Sequence, residues 1–500
     1  MFSRRYHRTL DRHQEMLLPP RIEEYVSKNN TVRAIDAYVE TLALQELGFK
    51  NTKFAIKSGQ PPYNPASLLK LYLYGYLQGI RSSRKLERES FRNLEVMWLI
   101  EGVQPTYKTI ADFRKNNSTS LKMANRDFLL LCKELSLFGG EEIAVDGSFF
   151  NGDASEAGIY TGDKLNQQLL DLEKKIDAYQ QALADEDARD DKAENQNLIE
   201  DAALAEKIES LKQKQADKRA LQERLQRSGN KQISTIDEDA RLLKKRGQTT
   251  AGYNVQIAVD SKHKLIVAEA VTQDGNDTQQ LAPILGNAQE ILASENLTGL
   301  GDAGYFNGKQ IKECADQNIT VYVPVPKQSS SAVKKGRFGR NDFPYNAEQD
   351  SYICPQGNTL TPIKGSKQKD GKNIISYRSK ASDCKDCPLR GQCLTTKAKV
   401  RVIERWEHEV VLEAHKTRMK ENPGIMKKRS ALVEHPFGTL KHRAGMNHFL
   451  MRGLEKCNGE FSLMILGYNF TRVLNILGVD FLMDYCAQRR ENTLKNIKYP

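Results

Sequence analysis

The sequence predicts an α/β protein: a mixed central sheet covered by helices, with a helical region before it and two insertions within it. Three observations lead there. Apolar or alternating runs of strand length fall at 143–150, 253–260, 265–271, 298–302 and 319–324. Helical stretches at 277–293 and 307–317 alternate with the later strands, the layering of a sheet covered on both faces. A heptad-spaced run over 163–228 separates the first strand from the second.

Taken in order, residues 1–140 read as helices. Pro61-Pro62-Tyr63-Asn64-Pro65 is a loop that opens a helix with proline in its first turn, and Ser67–Leu77 is apolar on more than one face. A second helix follows Ser82 or Ser83 as cap, and a third begins at Thr106–Thr109. Short helices with basic connectors suit a helix-turn-helix-like DNA-binding unit, set against a plain helical bundle. Leu165, Leu169, Leu172, Ile176, Tyr179 and Leu183 then recur at three- and four-residue steps, and Leu204, Ile208, Leu211, Leu221 and Leu225 follow an acidic break. Two antiparallel helices packed as a hairpin is the simplest arrangement; a dimerising coiled coil is the rival. Residues 253–260 and 265–271 form a β-hairpin turned by Ser261–Lys264.

The chain's 500 residues exceed one ordinary domain. Its net charge is +11, with acid-rich Asp171–Asp201 set against basic Lys327–Arg340 and Lys397–Arg452. That asymmetry favours a polyanionic partner, because neutralised phosphates release counterions. The most apolar late segment, Phe461–Leu477, is broken by Gly467, Asn469, Arg472 and Asn475, so no membrane span is expected. Basic Met1–Arg8 is followed by no signal-peptide apolar core. The expectation is a soluble, cytoplasmic, nucleoid-associated protein.

Eight cysteines are too sparse for a disulfide framework. Cys132, Cys314, Cys457 and Cys486 are scattered among apolar neighbours. Cys354, Cys384, Cys387 and Cys393 cluster in turn-rich sequence, as four thiolates around a structural Zn²⁺ would, though their spacing is irregular. Four reduced thiols in a small β insertion is the plainer alternative.

Three acids stand out. Asp146 and Asp302 are read as ending strands beside glycines, which let a ligand approach closely. Glu434 lies between Lys427-Lys428-Arg429 and Lys441-His442-Arg443. If the first and fourth strands are neighbours, the two aspartates lie side by side. Carboxylates from separate elements suit Mg²⁺, which with phosphate oxygens can activate a nucleophile and stabilise a leaving oxygen. Asp237 and Asp239 form a rival pair, ranked lower because they precede a strand. Asn254 and Gln256 share a strand facing the same edge, and His435 beside Pro436 reads as structural.

The residues Val145-Asp146-Gly147-Ser148, Gly301-Asp302-Ala303-Gly304-Tyr305 and Val433-Glu434-His435-Pro436-Phe437-Gly438 resemble those of DDE-type bacterial insertion-sequence transposases with an RNase H-like catalytic core. The likeness spans nearly the whole chain. It implies a metal-binding triad of Asp146, Asp302 and Glu434, holding Mg²⁺ or Mn²⁺, and double-stranded DNA as partner, both terminal inverted repeats and target. It also implies a homodimer in the DNA complex, since two ends must be cut together. Some relatives carry Tyr-x2-Arg-x3-Glu-x6-Lys around the glutamate. Lys441 matches the last position, whereas Lys427 and Ser430 occupy the Tyr and Arg positions and Arg429 stands one residue early. The expected DNA-contacting residues are Lys427, Lys428, Arg429, Lys441 and His442. The expected domains are a helical DNA-binding domain (1–140), the first core strand and loop (141–162), an inserted helical hairpin (163–228), the continued core (229–325), a zinc-ribbon-like insertion (326–405) and C-terminal helices completing the core (406–500). A nuclease or resolvase on the same core, and a non-catalytic DNA-binding descendant, are the alternatives.

Overall fold

The computed structural model describes residues 21–52, 62–187, 197–245, 247–326, 333 and 335–496. Met1–Arg8, Pro61, Ala188–Asp191 of the acidic break, and residues 327–332 and 334 of the later basic run lie outside the described residues.

The helices before the sheet are α1 (Ile22–Tyr25), α2 (Thr31–Val39), α3 (Pro65–Leu77), α4 (Ser83–Arg92), α5 (Leu94–Leu99), α6 (Tyr107–Asn116) and α7 (Ser118–Glu134). Asn64 starts α3 by accepting the Ala66 amide, with Pro65 in the first turn. The helix is buried from Pro65 through Tyr76, as its many apolar faces require. Thr106 caps α6 by accepting the Thr109 amide. Ser82 precedes α4 but makes no capping bond.

Strand β1 (Glu142–Asn151) leads through β2 (Ile159–Thr161) into the helical hairpin α8 (Gly162–Asp187) and α9 (Asn197–Ser228). Short β3 (Gln232–Ser234) pairs with β2 and closes the hairpin's base, where Leu165, Leu221, Leu225 and Ile233 form a small core. Three of the heptad leucines, Leu165, Leu221 and Leu225, thus pack in this core.

Strands β4 (Arg241–Lys245), β5 (Gln248–Asp260) and β6 (Ile266–Thr272) precede α10 (Leu281–Leu292), β7 (Leu297–Leu300), α11 (Gly308–Asp316) and β8 (Ile319–Tyr322). The sheet order is β4-β5-β1-β7-β8, with β6 also beside β5. β1 is antiparallel to β5 and parallel to β7, and β7 is parallel to β8. Two boundaries differ from the sequence reading. β4 is an additional strand, and α10 begins at Leu281 rather than Asp277, whose carboxylate is bonded to Asn254 and Gln256 instead of starting a helix.

A second, antiparallel sheet follows, from β9 (Tyr345–Asn346), β10 (Ser351–Ile353), β11 (Thr359–Lys369) and β12 (Lys372–Arg378), through short helices α12 (Ala381–Lys385) and α13 (Arg390–Cys393), to β13 (Val402–Trp406). Arg405 ties it to the next helix, α14 (Glu409–Glu421), by pairing with Glu413 at 2.5 Å. Helix α15 (Ile425–Gly438) then widens into a π turn at Thr439–Arg443.

The chain closes with α16 (Leu454–Leu477) and α17 (Val479–Asn496). The polar residues that interrupt α16 in sequence have work in the fold. Asn469 accepts the Ile266 amide at 2.9 Å and donates to the Ile266 carbonyl at 2.8 Å, covering the free edge of β6. Glu460, fully buried, meets Arg81 at 3.0 Å and Arg114 at 3.5 Å. The N-terminal helices therefore share one apolar core with α16 and α17. Among the described residues no single helix is long and apolar enough to cross a membrane.

Candidate active site

In the β1–β7 ladder the last matched pair is Ala144 opposite Leu300. Each aspartate lies two residues beyond that pair, so parallel pairing sets Asp146 and Asp302 on adjacent backbones at the point where β7 stops. The condition that the first and fourth strands be neighbours is met. Two details of the sequence reading differ. Asp146 does not end its strand, because β5 keeps β1 paired as far as Asn151. β7 ends at Leu300, so Asp302 stands in the turn after it, where its Oδ1 accepts the Gly304 amide at 2.8 Å.

Glu434 comes from α15, as its basic, helical setting predicted, and is exposed. It lines one cleft of about 440 Å³ together with Asp146, Asp302, Lys245, Arg429 and Lys441. The triad thus shares a cavity. Among the described residues, however, no three acidic, histidine or cysteine side chains stand close enough to hold one metal ion. Asp146 is instead paired with Arg429. Its Nη2 is 2.8 Å from Asp146 Oδ1, and its Nε donates to the Val145 carbonyl, so a side-chain cation occupies the aspartate. Burial pushes the Asp146 carboxyl above its ordinary value; Arg429 pulls it back, and Asp302 adds to the push. In kind the donors fit Mg²⁺ or Mn²⁺: oxygen only, in an open polar cleft.

The basic residues divide. Lys441 Nζ donates to the Phe149 carbonyl at 2.8 Å and to Ser148 Oγ at 2.5 Å, just beyond Asp146 on β1. Burial and nearby Lys245 lower its pKa, and Asp146 opposes them. Lys428 pairs with Glu142 at 2.6 Å. Lys427 and His442 are exposed.

Cys354, Cys384, Cys387 and Cys393 gather round one small pocket of about 30 Å³ with Arg401 and Phe338. All four are free thiols. Burial raises the Cys393 pKa, Arg401 lowers it, and the other three thiols push it up. Here too no three are placed to hold a metal.

The lower-ranked candidates serve the scaffold. Asp237 accepts the Tyr253 hydroxyl at 2.8 Å and the Gly453 amide at 3.0 Å, and Asp239 accepts the Leu454 amide at 2.8 Å. Both therefore satisfy amides at the start of α16. His435 meets the Tyr468 hydroxyl at 3.1 Å. Two residues of the site escaped the sequence reading. Lys245, on the unforeseen β4, lines the cleft. Asp277 lies beneath it, and its signal was present: like Asp302, it is an acid in a glycine-bearing turn after a strand, Gly275-Asn276-Asp277.

A family described as "Transposase DDE domain" matches residues 353–474, a span that contains Glu434 and Lys441. A second, "Transposase domain (DUF772)", matches residues 20–116, the helices α1–α6. No curated protein matches the chain. Among solved structures, the piggyBac transposase synaptic complex with hairpin DNA is similar at 10% identity, over 94% of this chain and 82% of that one, with a TM-score of 0.28.

Proposed function

We propose that this chain, which matches a transposase DDE domain over residues 353–474 and a second transposase domain over 20–116, is a DDE-type transposase that cuts the ends of an insertion sequence and joins them to target DNA at the cleft shared by Asp146, Asp302 and Glu434. The observation that carries this reading is that cleft, where three acids from β1, the turn after β7, and α15 meet a ring of cations. The strand order β6-β5-β1-β7-β8, three antiparallel and then two parallel, supports an RNase H-like core.

Asp146, Asp302 and Glu434 would hold Mg²⁺ or Mn²⁺, which supplies activation of the attacking oxygen and charge stabilisation on the leaving one. The chain's own part is to position. Lys441 and Lys245 present ammonium groups on either side of β1 for the phosphates of the bound strand. Arg429 neutralises Asp146 until DNA arrives. Exposed Arg84, Arg88 and Arg92 on α4 support contact of the N-terminal helices with terminal inverted repeats. Two chains would act together, one on each end. The gathered thiols support Zn²⁺ as a structural ion of the second sheet. Elemental analysis should find about one zinc per chain, and Cys387→Ser should lose it.

The test is cleavage of a labelled duplex carrying the DNA that flanks this coding region, with Mg²⁺ present. Asp146→Ala, Asp302→Ala and Glu434→Ala should each cut at least about 10³-fold more slowly while still binding the duplex. Product joined to a second duplex indicates strand transfer; cut but never joined product indicates a nuclease or resolvase. Activity of all three variants equal to wild type removes the reading.

A further inference from the structure

Asp277 is a buried carboxylate that the triad does not use. Only 5% exposed, it lies in the loop between β6 and α10. Its Oδ1 accepts from Asn254 Nδ2 at 2.9 Å and Gln256 Nε2 at 2.7 Å. Its Oδ2 accepts from Lys245 Nζ at 3.3 Å, and the same ammonium donates to the Gly147 carbonyl at 3.3 Å. Gln256 in turn accepts the hydroxyl of Tyr305, the buried residue at the end of the turn that follows Asp302.

The glycines beside the catalytic acids acquire a reason from this. A Cβ on Gly147 would stand 2.5 Å from Asp277 Oδ1. A Cβ on Gly304 would stand 2.9 Å from Asp302 Oδ1 and 3.6 Å from Asp277 Oδ2. Asp277 thus occupies the seam between the two backbones that carry Asp146 and Asp302, and the missing side chains leave it room.

We infer that Asp277 is a positioning residue of the transposition site: its charge holds Lys245 at the cleft, and its amide partners lock the turn that carries Asp302. The inference rests on the reading of the cleft given above. A fixed negative charge this close to Asp302 also strengthens the pull on a divalent cation without ligating it, whereas Lys245 opposes that pull.

The experiment uses the full chain, calorimetric titration with Mn²⁺ alone, and cleavage of the flanking-sequence duplex. Asp277→Asn should weaken Mn²⁺ binding at least about fivefold, and Lys245→Met should tighten it at least about threefold. Each should lower the kcat of cleavage at least about tenfold with KM for DNA within about threefold, and the double variant should be no slower than the worse single one. A merely structural role would not move Mn²⁺ affinity in opposite directions. Wild-type Mn²⁺ binding and cleavage in Asp277→Asn, or rate losses that multiply in the double variant, overturn the inference. If Asp277→Asn does not fold, Lys245→Met decides alone: unchanged kcat overturns the inference. Triad variants as active as wild type would instead sink the reading of the cleft itself.

Discussion

Arg429 and Asp146 form a 2.8 Å ion pair in which each side chain is largely sheltered from solvent. The helix that brings Glu434 to the cleft therefore also brings the cation that neutralises the first aspartate. A divalent cation loaded on Asp146 would have to displace Arg429, because both need the same carboxylate.

Arg429→Ala should accordingly raise the affinity of the DNA-free protein for Mn²⁺ several-fold, by removing the competing charge, while weakening its grip on DNA. Calorimetry with Mn²⁺ and filter binding with a duplex give the two readings. Weaker Mn²⁺ binding would mean that Arg429 orients Asp146 rather than competing for it.

Lys441→Ala tests the phosphate-facing role of the residue that β1 holds through Ser148 and Phe149. The slope of log affinity against log salt should flatten by about 0.9, the value of one lost phosphate contact on duplex DNA. An unchanged slope would return Lys441 to the scaffold.

Glu460→Ala should destabilise the whole chain by about 3–5 kcal/mol, because Arg81 and Arg114 would remain buried without their carboxylate. The amides of Leu450 and Met451, which bond the same side chain, would also lose their acceptor. Denaturant unfolding measures the loss. The N-terminal helices should unfold with the sheet in one transition, since they share its core.

His415 predicts an acid limit. It is fully buried, its Nε2 accepts the Val323 amide, and burial lowers its pKa from 6.5 to about 4. The unfolded chain takes up this proton near 6.5 and the folded chain only near 4. Stability therefore falls as pH drops through that window, by about 3 kcal/mol in all. Melting temperature against pH should be flatter between 6.5 and 4 in His415→Gln, after allowance for any uniform loss. An equally steep profile would assign the acid sensitivity to other groups.

Much of this was legible in residue order. Strands β1 and β7 follow from apolar runs ending near Asp-Gly and Gly-Asp, and the helical hairpin follows from its leucine spacing. The cap at Asn64 and the proline at 65 marked α3, because capping is a local bond between near neighbours. Asp277 was not legible in the same way. Its local signal, an acid in a glycine-bearing turn, does not reveal its role, because its partners Asn254, Gln256 and Lys245 lie more than twenty residues upstream. Nor was β4, since a short basic run has no strand period until β5 offers it an edge.

The order of residues by itself determined which acids are candidates, which segments are strands or helices, and the basic character of the segment around Glu434. Those are properties of side-chain type and of spacing over a few residues. Only the tertiary structure decided that Arg429 rests on Asp146, that Asp237 and Asp239 serve α16, and that Asp277 fills the seam between two glycines. Each of these is an interaction across a long chain separation, where burial and the direction of a side chain, rather than its identity, select the partner.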